Sequence, residues 1–351
     1  DDPSTNPLIP GSPADTDLLF AQLAWTLRQD PDVDAFTLAI DGRPVRTAGG
    51  ETRIPVAVGD QLDPVGFQTD SLLHGLLDGL LVSGTPGSLD PVGGVMGRVE
   101  LGVRSVAVDL LGTRVAAVSE AGGTVLLAPL TDGEGVTPRE DPSTDPGLPD
   151  VTTAAVGTDL LPPAWDVHDR LWLLDRTADG AVVRWVQGED SGVLDVPGVT
   201  GEEVRDFLVS RDGTRLVAVV RGPRADTVRV ARIRGDDSER ATGATRSRPL
   251  NLDDDPSRRI RDVAWTSTTT LAVLNRLTDV SAKVVTVGVD GSPGGLDGII
   301  TTLSGATALV GSPARGTRVY AVTDTGLADL NATVRGPRVL DEGLTFVTYA
   351  G

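Results

Sequence analysis

One pattern recurs along most of this chain and constrains its fold more than any other feature. Residues 103–118 and 204–219 match at a constant offset of 101: VRSVAV and VRDFLV each precede a Gly-Thr-Arg turn and a second apolar run. Three further copies follow the same plan. The apolar residue after the turn marks each copy and falls at Val115, Leu171, Leu216, Leu271 and Val319. These spacings of 56, 45, 55 and 48 residues predict a β-propeller, whose blades repeat every 40–50 residues or roughly so.

The ends of the repeated region predict how the ring closes. Residues 344–350 resemble the first strand of a copy without its successors, and residues 72–83 resemble the later strands without a first. Joining the two makes a sixth blade from both ends of the region and removes exposed sheet edges. We therefore predict that residues 66–351 form a six-bladed β-propeller closed by N- and C-terminal strands. Polar connections such as 131–150 and 234–248 are predicted to be loops.

The segment before the propeller has a different pattern. Residues 1–14 are polar and rich in Pro and Asp, typical of a linker or tail. Asp15, Thr16 and Asp17 are candidate N-caps for a helix, residues 35–40 read as a strand, and Asp41-Gly42 predicts a hairpin. One helix and a few strands are too little to close a core alone. Residues 15–65 are therefore expected to be the C-terminal part of an α/β domain, or a piece that docks on the propeller.

Composition excludes several classes of partner and chemistry. The formal net charge of −19 argues against nucleic acid or anionic lipid as the main partner, because both repel an acidic surface. The absence of cysteine excludes disulfides, a thiol nucleophile and cysteine metal ligands. No run of 18 apolar residues occurs, so we expect no membrane-spanning helix, and the polar start does not read as a signal peptide.

The titratable residues give no clear reactive centre. His168 is expected in an exposed turn and His74 in a short edge strand, and two histidines this far apart do not predict a metal site. A Ser/His/Asp triad stays open, although the sequence lacks a GxSxG elbow. The acidic runs 253–255, 236–237 and 202–203 are contiguous, so their side chains diverge and are expected in solvated loops. We predict no catalytic residue, no metal ligand and no cofactor.

Two residue types recur at fixed points of the repeat. Trp165 and Trp265 lie at equivalent ends of first strands, where packing between repeats is expected. The alternative is a partner-binding hydrophobic rim, with Trp25 holding the first segment against the propeller. Three arginines recur at the start of first strands and could bind an anion at the axial opening. We expect them instead to pair with aspartates, in the combinations Arg104 with Asp109, Arg205 with Asp206 and Arg261 with Asp262.

Two segments in this order resemble a known family. LLFAQLAWTLRQDPDVDAFTLAIDGRPV is similar to the closing part of a GerMN domain, and AWDVHDRLWLLDR and VRDFLVSRDGTRLVAVV belong to a degenerate propeller behind it. This order resembles the LpqB family of actinobacterial lipoproteins. The resemblance implies an exported accessory protein, held on the outer face of the cell membrane by a lipid anchor. It also implies contact with the extracytoplasmic sensor domain of an MtrB-like histidine kinase in an MtrA/MtrB-type two-component system. No lipobox cysteine is present, and the family brings no catalytic residues.

Three functions therefore stand side by side. The first is a non-enzymatic interaction module that modulates a sensor kinase. The second is a propeller hydrolase or lactonase with an axial metal, for which Asp166, Asp206 and Asp262 are the best candidate acids. The third is a structural scaffold of the cell envelope. Convergence of these three carboxylates on the axis would favour the second.

Overall fold

The computed structural model describes residues 13–27, 33–47, 49–58, 69, 71–131, 150–236, 240–252, 257–292, 302–314, 318–330 and 340–351. The chain divides into two compact units, residues 1–68 and 69–351. Each is described by itself. No helix among the described residues is long and apolar enough to cross a membrane.

The first unit contains one helix and four short strands. Helix α1 (Pro13–Leu27) begins before the expected N-cap residues, so the prediction that Asp15 to Asp17 start the helix is wrong. Its residue Phe20 is buried and packs at 6.4 Å, centroid to centroid, against Phe36. The strands form two antiparallel pairs, β1 (Ala35–Phe36) with β4 (Ile54–Pro55), and β2 (Ala39–Ile40) with β3 (Arg43–Pro44).

The predicted Asp-Gly hairpin of this unit is confirmed. Asp41 and Gly42 connect β2 to β3 with φ angles of 51° and 77°. A two-residue hairpin turn of this kind requires positive φ at both central positions, which glycine adopts freely and aspartate tolerates.

The second unit is the predicted six-bladed β-propeller. Its strands are β5 (Leu73–Leu77), β6 (Leu80–Thr85), β7 (Ser88–Pro91), β8 (Val103–Val108), β9 (Arg114–Ser119), β10 (Thr124–Pro129), β11 (Thr152–Val156), β12 (Ala164–Trp165), β13 (Leu171–Thr177), β14 (Gly180–Gln187), β15 (Asp190–Leu194), β16 (Val204–Val209), β17 (Arg215–Val220), β18 (Thr227–Gly235), β19 (Ala241–Ala244), β20 (Arg248–Pro249), β21 (Arg259–Trp265), β22 (Thr270–Arg276), β23 (Ser281–Gly288), β24 (Thr302–Ser304), β25 (Ala306–Val310), β26 (Tyr320–Thr323), β27 (Gly326–Asp329) and β28 (Leu344–Tyr349).

These strands group into antiparallel blades in chain order. Blade 1 is β8–β11, blade 2 is β12–β15, blade 3 is β16–β20, blade 4 is β21–β24 and blade 5 is β25–β27. Blade 6 combines β28 from the C-terminal end with β5, β6 and β7. β28 pairs with β5, with Tyr349 opposite Leu73 and Leu344 opposite Leu77. Closure of the ring by both ends of the region is therefore confirmed.

Apolar packing between neighbouring blades holds the ring together. Among the described residues, a separate buried cluster fills each of the six interfaces. Second strands supply both sides of a blade: in β13, Leu171 and Leu173 face blade 1, whereas Trp172 and Leu174 face blade 3. Because successive side chains of a strand point to opposite faces, a strand sandwiched between two interfaces must be apolar throughout. Second strands are accordingly more completely buried than first strands.

One predicted loop is partly sheet. The connection 234–248 contains the end of β18 and all of β19, and its last residue begins β20; both short strands pair with β18. The prediction of a polar loop over these residues is therefore wrong. The loop predicted over 131–150 falls mostly outside the described residues.

Candidate functional site

The first strands of the blades surround a cavity on the propeller axis. Its volume is about 310 Å³, and its wall contains residues from the inner strands of all six blades, among them Val106, Ala164, Asp206, Asp262, Leu309 and Val347. Pro162 and Pro163 contribute to the wall in blade 2, where β12 is only two residues long. Because this cavity lies on the propeller axis, it is the candidate site for reactive groups there.

A bulge recurs near the start of the inner strands. The pairing of first with second strand skips one residue in five blades, at Arg104, Arg205, Arg261, Thr307 and Thr345. A bulge kinks the strand and re-aims the side chains that follow it. The residues immediately after these bulges include Asp206 and Asp262, whose side chains face the axial cavity.

Asp206 and Asp262 fasten each inner strand to the next blade. Asp206 accepts hydrogen bonds from the backbone N–H groups of Phe207 at 2.8 Å and of Val263 at 3.1 Å. Asp262 repeats the arrangement one blade further on and accepts from the backbone N–H of Leu309. Inner strands have one unpaired edge, so these carboxyl groups satisfy N–H groups that would otherwise face the cavity. Their principal contacts are structural.

The two carboxyl groups also interact with each other, and this interaction affects their pKa values. Burial raises the pKa of Asp206, and burial together with the neighbouring carboxylate raises the pKa of Asp262 well above its ordinary value. Both side chains border the cavity and are only partly exposed. Two adjacent negative charges are unfavourable in such a place. Burial and the neighbouring carboxylate therefore favour the protonated form of Asp262 over its ionised form.

Asp166 does not join this pair. It lies at the end of β12 and accepts hydrogen bonds from Arg170 Nε and Trp172 Nε1, both at 2.7 Å. Its other oxygen accepts from the backbone N–H groups of His168 and Arg170. Asp166 is thus committed to a buried ion pair in a turn, and the expected alternative of three convergent acids is not what the structure describes. Within the described ranges, no group of three or more His, Asp or Glu is placed to hold a metal.

The predicted arginine–aspartate pairs are wrong for Arg104 and Arg261. Arg104 pairs with Asp159 at 2.7 Å, while Asp109 pairs with Arg114 at 3.2 Å. Arg261 donates to the carbonyl oxygens of Ala306, Thr278 and Asp279. Arg261 is the bulged residue of β21, and these carbonyl oxygens rather than Asp262 accept its hydrogen bonds.

Arg205 borders the axial cavity together with Asp206. The carboxyl group of Asp206 is occupied by two backbone N–H groups and Asp262, so the predicted Arg205–Asp206 pair is not the arrangement seen.

The tryptophans at the strand ends are packed inside the propeller. Trp165 is 2% exposed and Trp265 is 6% exposed. Trp165 donates from Nε1 to the carbonyl oxygen of Ala107 in blade 1 at 3.2 Å, and the Arg114 guanidinium lies 4.9 Å from its ring centre. The structure thus favours packing between repeats over an exposed rim at these two positions. Trp25 lies in α1, and its side chain is outside the described residues.

The histidines occupy different environments from those predicted. His74 is 1% exposed in β5, between β28 and β6, so the prediction of an edge strand is wrong. His168 lies in the turn after β12 as predicted, but it is half-buried. Glu202, Glu203 and Asp236 are exposed, as expected for solvated acidic residues, whereas Asp237 and residues 253–255 lie outside the described residues.

Sequence reasoning missed the contact between Asp206 and Asp262. The signal is present in the chain, because both follow an arginine at the same point of a first strand and are separated by 56 residues, close to the repeat length. Equivalent residues of adjacent blades approach each other at the axis. An alignment of the repeats that includes the positions facing the axis would therefore have predicted this contact.

Comparisons with known proteins agree with this architecture. A family model described as the Lipoprotein LpqB beta-propeller domain matches residues 79–335. A protein named Lipoprotein LpqB from Thermobifida fusca (strain YX) is 27% identical over 315 residues, which cover 78% of this chain and 47% of that protein. The protein of the same name from Mycobacterium bovis (strain BCG / Pasteur 1173P2) is 31% identical over 222 residues, with coverages of 60% and 35%. The chain thus spans about half or less of the length of these relatives.

Solved structures resemble the chain in fold. A chain in the crystal structure of a nidogen/laminin complex superimposes with a TM-score of 0.51 at 13% identity, covering 80% of this chain and 98% of that one. At this identity the likeness concerns the fold alone.

Proposed function

This chain belongs to the LpqB β-propeller family, and from that premise we propose that it is a non-enzymatic accessory lipoprotein acting outside the cytoplasm. In this proposal a lipid anchor holds the protein on the outer face of the cell membrane. Its partner is the extracytoplasmic sensor domain of a histidine kinase of the MtrA/MtrB type. Residues 15–65 are the closing part of a GerMN-like domain, and residues 66–351 are the propeller that contacts the partner.

The observation that carries the proposal is that the candidate catalytic acids are already engaged in structural hydrogen bonds and an ion pair. Asp206 and Asp262 accept backbone N–H groups from adjacent blades, and Asp166 is buried against Arg170. Groups engaged in this way stabilise a rigid platform and are poorly placed to bind and release a substrate. A rigid propeller presenting turns on one face is suited to protein recognition.

The exposed apolar residues of that face are not the predicted tryptophans. Leu111 is 73% exposed in the turn between β8 and β9, and Val167 is 43% exposed in the turn between β12 and β13. The side chain of Arg114 pairs with Asp109 and Asp169 and so connects these two turns. We assign Leu111 and Val167 to the partner-binding rim in place of the buried Trp165 and Trp265.

The test is direct binding to the purified extracytoplasmic domain of the kinase, measured by biolayer interferometry. The unmodified chain should bind, and Leu111→Asp with Val167→Asp should weaken binding at least tenfold, because a charge replaces buried apolar contact. Val193→Asp is the matched control, since Val193 is 68% exposed on the outer strand β15 of blade 2. Absence of binding at high concentration would count against the proposal and favour a structural scaffold.

The hydrolase alternative has its own measurement. An axial metal centre requires several ionised ligands, whereas the pKa of Asp262 is raised beside Asp206. Metal analysis by mass spectrometry of the purified protein decides it: a stoichiometric divalent ion lost in Asp206→Asn would support the hydrolase.

A further inference from the structure

Four arginines surround one groove between blades 3 and 4. The groove has a volume of about 380 Å³, and its wall contains Arg215, Arg232, Arg246, Arg248, Val230, Ala231, Thr245, Val289 and Asp290. We call this cavity the arginine groove, after the four arginines in its wall. It lies beyond the apolar packing of Val217 and Val230 against Val287 and Val289. This cavity is separate from the axial one and has no role in the function proposed above.

The strand register forces like charges together. Arg215 in β17 lies directly opposite Arg232 in β18. Side chains directly opposite in an antiparallel pair have Cβ atoms about 4.5–5.5 Å apart, and like charges there are destabilising. Arg248 is opposite Val230, two residues before Arg232, so it projects on the same side of the blade. Arg246 comes two residues before Arg248 and completes the cluster.

Carboxylates only partly neutralise this charge. Arg215 contacts Asp212 at 3.3 Å. Arg248 donates to two neutral groups, the carbonyl oxygens of Val289 and Asp290. The carboxylate of Asp290 accepts hydrogen bonds from Ser292, and these bonds together with the charge of Arg248 lower its pKa. Asp290 therefore partly neutralises Arg248. In the part of the chain that the structure describes, four guanidinium groups therefore face two carboxylates.

The sign of this cluster is opposite to that of the molecule. The chain carries a formal net charge of −19, yet the groove concentrates positive charge. At physiological ionic strength the Debye length is about 8 Å, so distant carboxylates are screened and the local cluster determines what binds. An anion bound between these side chains would relieve the repulsion between the like charges.

We propose that the arginine groove binds a phosphate group. Guanidinium groups present planar pairs of donors that match phosphate oxygens, and a phosphate accepts several of them at once. Thr245 adds a hydroxyl at the wall. The volume is in the range of small-molecule sites and accommodates a phosphate with a small substituent. The phosphate is carried either by a small molecule or by a lipid headgroup.

Two arms of one experiment separate these sources. Inorganic phosphate and glycerol 3-phosphate are titrated into the whole chain by isothermal calorimetry at low salt. Co-sedimentation then compares vesicles of phosphatidylcholine with vesicles that contain phosphatidylglycerol. Binding in the first arm assigns a small phosphorylated ligand, and binding to the phosphatidylglycerol vesicles alone assigns a headgroup. Absence of binding in both arms overturns the proposal.

One substitution distinguishes a phosphate-binding arginine from a structural one, because it should weaken binding while raising the melting temperature. Arg232→Gln should weaken phosphate or vesicle binding about tenfold or more, since a charge-assisted contact is lost. The same variant should melt at a higher temperature than the unmodified chain without ligand, because the repulsion from Arg215 is removed. Arg221→Gln, in the same blade just after the opposite end of β17, is the control for net charge and should change neither property. Equal binding by Arg232→Gln and the unmodified chain would overturn the proposal.

Discussion

The turns of blades 2 and 3 place the same two residue types in opposite environments. In blade 2, Asp166 and Arg170 form an ion pair at 2.7 Å with side chains 0% and 4% exposed. In blade 3, Asp212 and Arg215 lie 3.3 Å apart with side chains 26% and 35% exposed. Each arginine comes at or just before the start of the second strand of its blade. Both turns therefore contain an aspartate–arginine ion pair, but one pair is buried and the other is partly exposed to water.

The difference shows what burial demands of a charged pair. Asp166 is surrounded by donors from Arg170, Trp172 and the backbone, which compensate the loss of water. Without such partners a buried ion is strongly unfavourable, whereas an exposed pair gains little from its attraction. The sequence pattern alone does not distinguish the two. We expect the stability of the propeller to depend on the first pair and to be almost independent of the second.

The largest effect is expected for Asp166→Asn. This change keeps the shape of the side chain but leaves Arg170 buried beside a neutral group, which should lower the free energy of unfolding by about 3–5 kcal/mol. Urea denaturation followed by tryptophan fluorescence measures it. A loss below about 1 kcal/mol would show that the blade 2 turn is no more critical than the blade 3 turn.

Asp262→Asn extends the comparison to partly buried acids that are paired with each other instead of with an arginine. Because the folded-state pKa of Asp262 is raised, its contribution to stability is complete below the ordinary aspartate pKa and is lost as the pH rises through the folded value. Asparagine keeps a donor toward Asp206 and does not ionise. As the pH rises, the unmodified chain should therefore lose stability relative to Asp262→Asn. The difference in unfolding free energy should change by at most about 1.4 kcal/mol per pH unit. Parallel profiles from about pH 4 to 9 would contradict the raised pKa of Asp262.

The two tryptophans at the strand ends test whether a buried neutral donor also depends on its hydrogen-bond partner. Trp165 Nε1 donates to Ala107 across the blade interface, whereas Trp265 Nε1 is buried without a partner among the described residues. Trp165→Phe should lose about 1 kcal/mol beyond the loss from reduced volume, because a carbonyl oxygen is left unsatisfied. Trp265→Phe, at the equivalent position, removes a donor that makes no such bond and should lose less. Thermal melts of the two variants side by side measure the difference, and equal losses would show that the hydrogen bond is unimportant.

The smallest effect is expected for Asp212→Asn. The pair is half-exposed, so its loss should lower the unfolding free energy by no more than about 1 kcal/mol near neutral pH. Burial alone would raise the pKa of Asp212, but hydrogen bonds from Ser210 and Thr214 and the charge of Arg215 outweigh it and lower the pKa. The contribution of Asp212 is therefore present above the ordinary aspartate pKa and is lost as the pH falls through the folded value. The unmodified chain should converge with Asp212→Asn in acid, the reverse of the Asp262 profile.

Much of the fold could be predicted from local pattern. The spacing of the repeats predicts the blades, and the incomplete copies at 72–83 and 344–350 predict the closure that β28 and β5 confirm. The contacts between blades could not be predicted in the same way. Adjacency in the chain suggests that Arg261 pairs with Asp262. In the structure Arg261 is a bulged residue that donates to carbonyl oxygens, and Asp262 lies beside Asp206 at the axial cavity.

The sequence by itself determined the number of blades, the apolar second strands and the Asp-Gly hairpin, because each depends on residues close together in the chain or on a period that recurs along it. Only the tertiary structure decided which aspartate is buried with an arginine, which lies beside another carboxyl group and which remains partly in water. It also decided that His74 lies inside blade 6 and that four arginines meet beside blade 4. Those outcomes depend on distances between blades, since the energy of a charge is set by the groups and the water around it in space.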